Sequence, residues 1–180
     1  KKNKSFNCLN KTFSVEINAL DAFLEEQIRK TSSSHRHYFS EVFKHKGKRL
    51  RPLMVFACAG KTEDDHIRLA AVLELLHLAT LIHDDILDEA NLRHGTASLH
   101  KKFSVKTALL AGDALFSRAL NLSSQLPQKI GQEIAEGVEK ICSGEIFQNE
   151  RAQKGLSESE YEKIIERKTG ELFRLAAKLS

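Results

Sequence analysis

Residues 67–95 read IRLAAVLELLHLATLIHDDILDEANLRHG, and this stretch decides the fold. Ile67 to Ile82 is apolar on nearly every face, as in a helix that sits centrally in a core. The spacing predicts that this helix runs from about Asp64 to Asp88. Glu74 and His77 interrupt the apolar surface, and a buried charge or imidazole needs a partner. Asp84 and Asp88 lie four residues apart, on one face of the helix, with Asp85 beside them. Like charges at that spacing repel, and carboxylates near a helix C-terminus oppose its macrodipole. Such a cluster costs stability unless a cation offsets it. Mg²⁺ suits it, because that ion takes few carboxylates and completes its shell with water and phosphate oxygens. The reading is a phosphate-handling metal site at the end of a buried helix, although D-D-x-x-D alone also describes a solvated helix end.

The rest of the 180 residues fit one domain, spanning 1–180, with one sizeable core. Hydrophobic residues make up 41% of the chain and there are two prolines, a composition that suits helices over strands. No run of 18 apolar residues occurs, so no membrane span is expected. Lys1 to Phe13 lacks the apolar core of a secretory signal. Cys8, Cys58 and Cys142 are too scattered for a disulfide framework or a zinc site, which favours a cytoplasmic setting. Residues 1–51 carry twelve Lys or Arg against five Asp or Glu. No aromatic platform accompanies the bases, so an anionic small molecule is preferred over nucleic acid.

Apolar periodicity predicts helices at Val15–Ile28, Leu53–Ala59, Ser104–Leu122 and Gln128 to about Gln148. Arg51-Pro52 opens the second of these, since proline suits a first turn. Thr31–Ser34 is a polar break and Ala90–Thr96 a loop. Ser157 to Glu160 is a capping-box pattern opening another helix. Lys168-Thr169-Gly170 punctuates the chain before a last amphipathic stretch, Leu172–Leu179. With no convincing strand, the expected fold class is an all-α bundle.

Further elements join the aspartates. Gly47 to Pro52 sets Lys48, Arg49 and Arg51 beside a helix start, where backbone N–H groups also favour anions. Glu74 and His77 lie two turns before the aspartates. Arg93 follows them in the loop, and Lys168-Thr169 offers a later cation and hydroxyl. In identity, order and spacing these motifs resemble the trans-type isoprenyl (polyprenyl) diphosphate synthases, from about Gly47 to Phe173.

The resemblance implies an isoprenoid-synthase-like helical bundle around a central cavity and a prenyltransferase activity. It implies that Asp84, Asp85 and Asp88 form the first aspartate-rich motif, with Asp84 and Asp88 foremost as direct Mg²⁺ ligands. These would hold an allylic prenyl diphosphate. Arg93 would contact the same diphosphate, with Lys168 and Thr169 on its far side. Lys48, Arg51 and His77 would bind isopentenyl diphosphate, and Gln148 would face the reacting carbons. The chemistry is coherent. Ionising an allylic diphosphate calls for cations at the leaving oxygens and for dry, apolar walls around the carbocation. The family is usually homodimeric, through helices resembling Ser104–Gln148.

Three departures stand out. His94 occupies the second of two arginine positions that normally contact isopentenyl diphosphate, so binding should be weaker or pH-sensitive. Lys46 replaces a glycine. No second aspartate-rich motif follows Lys168, so the chain resembles the N-terminal portion of the fold, apparently incomplete at the C-terminus. In this family, bulky residues four or five positions before the first aspartate shorten the product. Ala79 and Thr80 are small there, which implies a longer product, beyond fifteen carbons.

Two rival readings remain. The chain could be a non-catalytic subunit that partners a complete synthase. Alternatively, His83-Asp84 resembles the metal pair of HD-type phosphohydrolases, with His35, His37 or His45 upstream and Asp113 downstream. That second alternative leaves Lys48, Arg51, Asp88 and Arg93 unexplained.

Overall fold

The computed structural model describes residues 8–31, 33, 35–44, 47–151 and 155–180. Parts of Thr31–Ser34, and both Lys46 and the candidate ligand His45, lie outside them. The described chain is an all-α bundle. Its helices are α1 (Ser14–Arg29), α2 (Arg36–Phe43), α3 (Leu50–Ala59), α4 (Asp64–Leu87), α5 (Leu99–Lys102), α6 (Val105–Ser123), α7 (Gln128–Arg151), α8 (Glu158–Ile165) and α9 (Glu171–Lys178).

The central helix is α4, as its long apolar run, interrupted only by a few polar residues, leads one to expect. Leu69 to Leu76 are all buried. The helix packs most extensively on α6 and also touches α1, α3, α5 and α9. The α4–α6 crossing is tight at Gly112, where an added Cβ would stand 2.3 Å from the His83 ring. No larger residue fits there without moving the ring. Helix α7 leans on α9 through Gly137, whose added Cβ would meet a Leu175 methyl carbon at 2.6 Å.

The expected ends hold closely for α1, α4 and α6. Ser104 caps α6 by accepting a hydrogen bond from the Thr107 N–H at 3.0 Å. The Ser157–Glu160 capping box opens α8 as its sequence predicts. Helix α3 starts three residues earlier than expected, at Leu50, leaving Pro52 inside its first turn, where no intrahelical N–H bond is lost. Helix α7 continues three residues past Gln148.

Three features differ in kind. Helix α2, absent from the expected elements, lies in a histidine-rich segment; its Phe39 is buried, and Tyr38, Val42 and Phe43 pack partly buried against the core. Within Ala90–Thr96, expected to be a loop, the chain forms part of a small antiparallel ladder, β1 (Leu92–Arg93) with β2 (Thr96–Ala97). His94 and Gly95 both take positive φ, 50° and 79°, as a two-residue hairpin turn requires. Lys168-Thr169-Gly170 does not break the helix. It belongs to a π-helical turn, Glu166–Gly170, that carries α8 into α9.

Candidate functional site

The C-terminal end of α4 gathers the acids. Asp84 is half-buried, Asp85 is buried, and Asp88 is exposed as the helix C-cap. The π-helical turn delivers Lys168 to this end, and π-turns recur at functional sites. The Lys168 Nζ stands 3.5 Å from Asp84 Oδ1 and 2.6 Å from Glu145 Oε2 of α7. Burial pushes the Asp84 carboxyl above its ordinary pKa. Lys168 opposes the shift without cancelling it, and Glu145 and Asp88 add to it. Burial disfavours the charge on Lys168, but its bonds to Glu145 and its attraction to Asp84 outweigh that and raise its pKa.

Asp85 turns the other way. It accepts hydrogen bonds from Arg93 Nε at 3.0 Å and from the Arg93 terminal nitrogen, so its charge is spent on an arginine. The β1–β2 hairpin makes that meeting possible, and it holds His94 at its tip.

Arg93 and His94 line a cavity of about 100 Å³ with His77, Glu74 and Asp85. Burial lowers the pKa of His77 to about 3, and the charges of Arg51, Arg93 and Arg49 act in the same direction. His77 is therefore a neutral imidazole at physiological pH, able to donate one N–H but carrying no charge. Arg51 lies with its guanidinium 4.8 Å from the centre of the Phe173 ring, a cation–π distance. Its buried Nε has no hydrogen-bond partner among the described residues. The structure thus groups Arg93 with His77, Arg51 and His94, while Lys168 joins Asp84.

Arg49 departs from the expected cluster of three anion-facing cations. It is 7% exposed, pairs with Glu74 at 2.7 Å and Asp21 at 3.0 Å, and answers the need of the buried Glu74 for a partner. Lys48 and Thr169 are exposed and Gln148 is half-buried on the last turns of α7. Glu145 was missed by sequence reasoning. The signal was present, three residues before Gln148 on the same helix, but its meaning depends on where Lys168 folds.

Among the described residues, no three carboxylates, imidazoles or thiols stand together as a ready-made metal cage. The donor set fits a cation of the Mg²⁺ kind instead, which takes one or two carboxylates and fills its other positions with water and phosphate. The HD-type arrangement is not assembled. His83 does approach Asp113, at 3.4 Å. Asp84, however, faces Lys168, while His37 stacks against Tyr38 and Phe103. A larger cleft of about 760 Å³ between α2 and α6 has, among the described residues, His35 and no other imidazole, carboxylate or thiol in its lining.

A family model described as polyprenyl synthetase matches residues 32–180. The chain belongs to the polyprenyl synthetase family. Among curated relatives, it is 37% identical over 165 residues to an all-trans-nonaprenyl-diphosphate synthase of Rhodobacter capsulatus, matching 88% of this chain and 50% of that protein. Two solved structures superpose with a TM-score of 0.89. One is a decaprenyl diphosphate synthase from Rhodobacter capsulatus, at 29% identity over 97% of this chain and 55% of that one. The other is a polyprenyl synthase from Caulobacter crescentus complexed with calcium and isoprenyl diphosphate, at 30% identity over 96% and 54%. The chain therefore spans about half the length of the polyprenyl synthetases it matches. Among the described residues, no helix is long and apolar enough to cross a membrane.

Proposed function

We propose that this chain carries the diphosphate-ionising part of a polyprenyl diphosphate synthase, a prenyltransferase that condenses an allylic prenyl diphosphate with isopentenyl diphosphate. The observation that carries the reading is the pairing of two unlike subsites along α4. At its end the half-buried Asp84, its carboxyl pKa raised by burial, stands with the exposed Asp88. Beside it lies a cavity lined by His77, Arg93 and His94, with Arg51 close enough to act on His77. In this reading Asp84 and Asp88 hold Mg²⁺, while Lys168 and Thr169 contact the allylic diphosphate. Bound Mg²⁺ would supply charge neutralisation of the leaving diphosphate. The relative from Caulobacter crescentus, complexed with a divalent cation and an isoprenyl diphosphate, supports the pairing.

Arg51, His77, His94 and Lys48 bind the diphosphate of isopentenyl diphosphate. His77 contributes a hydrogen bond there and not a charge. Arg93 is held by Asp85 between the two subsites, where the allylic diphosphate is its expected contact. Asp85 is then a positioning residue and not a metal ligand. Gln148 faces the reacting carbons, and the apolar α4 and α6 supply walls that keep water from the carbocation. The attacking alkene forms the new carbon–carbon bond, and the resulting cation loses a proton, for which the released pyrophosphate is the acceptor.

Residues 1–180 act as a single domain in this reading, in a cytoplasmic enzyme that pairs as a homodimer or with a synthase subunit and does not bind nucleic acid. One observation favours a second reading, a non-catalytic subunit of a larger synthase: His94 stands where the family pattern has arginine.

Prenyl transfer from isopentenyl diphosphate to geranyl diphosphate, and calorimetric binding of pyrophosphate with Mg²⁺, test both. Asp84→Asn should lower both signals at least about a hundredfold, the scale of losing a principal electrostatic contact. Binding without turnover, lost in Asp84→Asn, selects the subunit reading. Binding that is indifferent to Asp84→Asn overturns both.

A further inference from the structure

Lys168 is bracketed by two carboxylates from two different helices. Its ammonium lies 2.6 Å from Glu145 on α7 and 3.5 Å from Asp84 on α4. The three side chains are 21%, 22% and 20% exposed, so their interactions are screened less than those of surface pairs. The shorter of the two contacts is also the more firmly built. Gly144, next to Glu145, lets α7 approach the π-helical turn so closely that an added Cβ would come 2.9 Å from Arg167 Cβ and 3.6 Å from the Lys168 nitrogen. Backbone proximity thus holds Glu145 and Lys168 together, while the contact to Asp84 of α4 is longer.

A lysine placed this way occupies the carboxylate that a metal ion would need. We propose that Lys168 is the resident counter-cation of the acid cluster: anchored on Glu145, its ammonium neutralises Asp84 until a divalent cation displaces it, and it then turns to the incoming diphosphate. Glu145 is a positioning residue in this exchange, keeping the displaced ammonium at the rim of the site. The inference rests on the proposed assignment of Asp84 as a metal ligand. It makes binding of metal and diphosphate mutually supportive. Metal alone must part the ammonium from Asp84 and leave it with Glu145, whereas metal with diphosphate gives the ammonium a second anionic partner in exchange.

The signature is a change of opposite sign in two measurements on one variant. Mn²⁺ replaces Mg²⁺, and free Mn²⁺ is read by electron paramagnetic resonance on the whole chain, with circular dichroism confirming that each variant is folded. Lys168→Met should bind Mn²⁺ alone about fivefold more tightly than the unaltered chain, because a like charge has left the site. The same variant should bind pyrophosphate in the presence of Mn²⁺ about tenfold more weakly. Glu145→Gln should weaken Mn²⁺ binding, since the unanchored ammonium settles on Asp84. Gain of measurable Mn²⁺ binding in Lys168→Met where the unaltered chain shows none supports the proposal equally. Unchanged or weaker Mn²⁺ binding in Lys168→Met, with Asp84→Asn abolishing it, overturns the exchange but leaves Asp84 a ligand. Mn²⁺ binding that survives Asp84→Asn overturns the metal assignment itself and the exchange with it.

Discussion

Arg49 and Glu74, 25 residues apart in the chain, meet at 2.7 Å in the core, and their side chains are 7% and 6% exposed. Asp21 of α1 takes a second guanidinium nitrogen at 3.0 Å, so one arginine ties α1, α3 and α4 together. Arg49 also occupies the left-handed region, with φ of 49°, at the N-cap of α3. Removing one partner of a buried pair strands the other charge and costs about 3–5 kcal/mol. Arg49→Met should therefore lower the unfolding free energy by about that amount in urea titration. Arg49→Met combined with Glu74→Leu should recover part of it. A loss from the single variant below about 1 kcal/mol would show that water reaches Glu74.

His77 gives a stability that depends on pH. Its folded pKa is depressed to about 3 from the ordinary 6.5, so the unfolded chain takes up the proton first. Stability from this group is fully present above about pH 6.5 and falls as the pH drops towards about 3. The midpoint temperature of thermal unfolding, followed from pH 7 to pH 4, should decline less in His77→Gln than in the unaltered chain. Equal declines would mean that His77 is protonated in the fold. Between pH 7 and 8 the imidazole stays neutral, so pyrophosphate affinity there should not vary through this residue.

The product-length expectation falls on two positions with different surroundings. Ala79 is 1% exposed among core side chains, and a larger residue there overpacks the core at a cost of about 1–3 kcal/mol. Thr80 is half-buried and its hydroxyl donates to the His77 carbonyl at 2.8 Å. Thr80→Phe is therefore the better test. Assayed by chromatography of the prenyl products, it should shift them to shorter chains, while Ala79→Phe should chiefly lower the melting temperature. An unchanged distribution in Thr80→Phe would remove this face of α4 from the wall of the growing chain.

Much of the bundle was legible in local pattern. The apolar run from Ile67 to Ile82 announced a central helix, the capping box at Ser157–Glu160 marked the start of α8, and periodicity placed the start of α6 within one residue. Helix α2 was missed although Tyr38, Phe39, Val42 and Phe43 recur at helical spacing, because eight residues give that pattern barely two turns in which to show. The hairpin around His94-Gly95 hid in what looked like a loop, since two residues per strand are too few to show alternation. The π-helical turn was also hidden. Glycine after Lys168-Thr169 signals a break by propensity, yet the packing of Gly144 against Arg167 holds the turn helical.

By itself, the sequence determined the helical architecture, the central place of α4 and the crowding of Asp84, Asp85 and Asp88 at its end, because these follow from spacing along one helix. Only the tertiary structure decided how each charge is spent: Arg49 on Glu74, Arg93 on Asp85, Lys168 between Asp84 and Glu145. Those choices depend on distances between residues far apart in the chain. A salt bridge forms where two helices happen to cross, and residue spacing within either helix carries no record of the crossing.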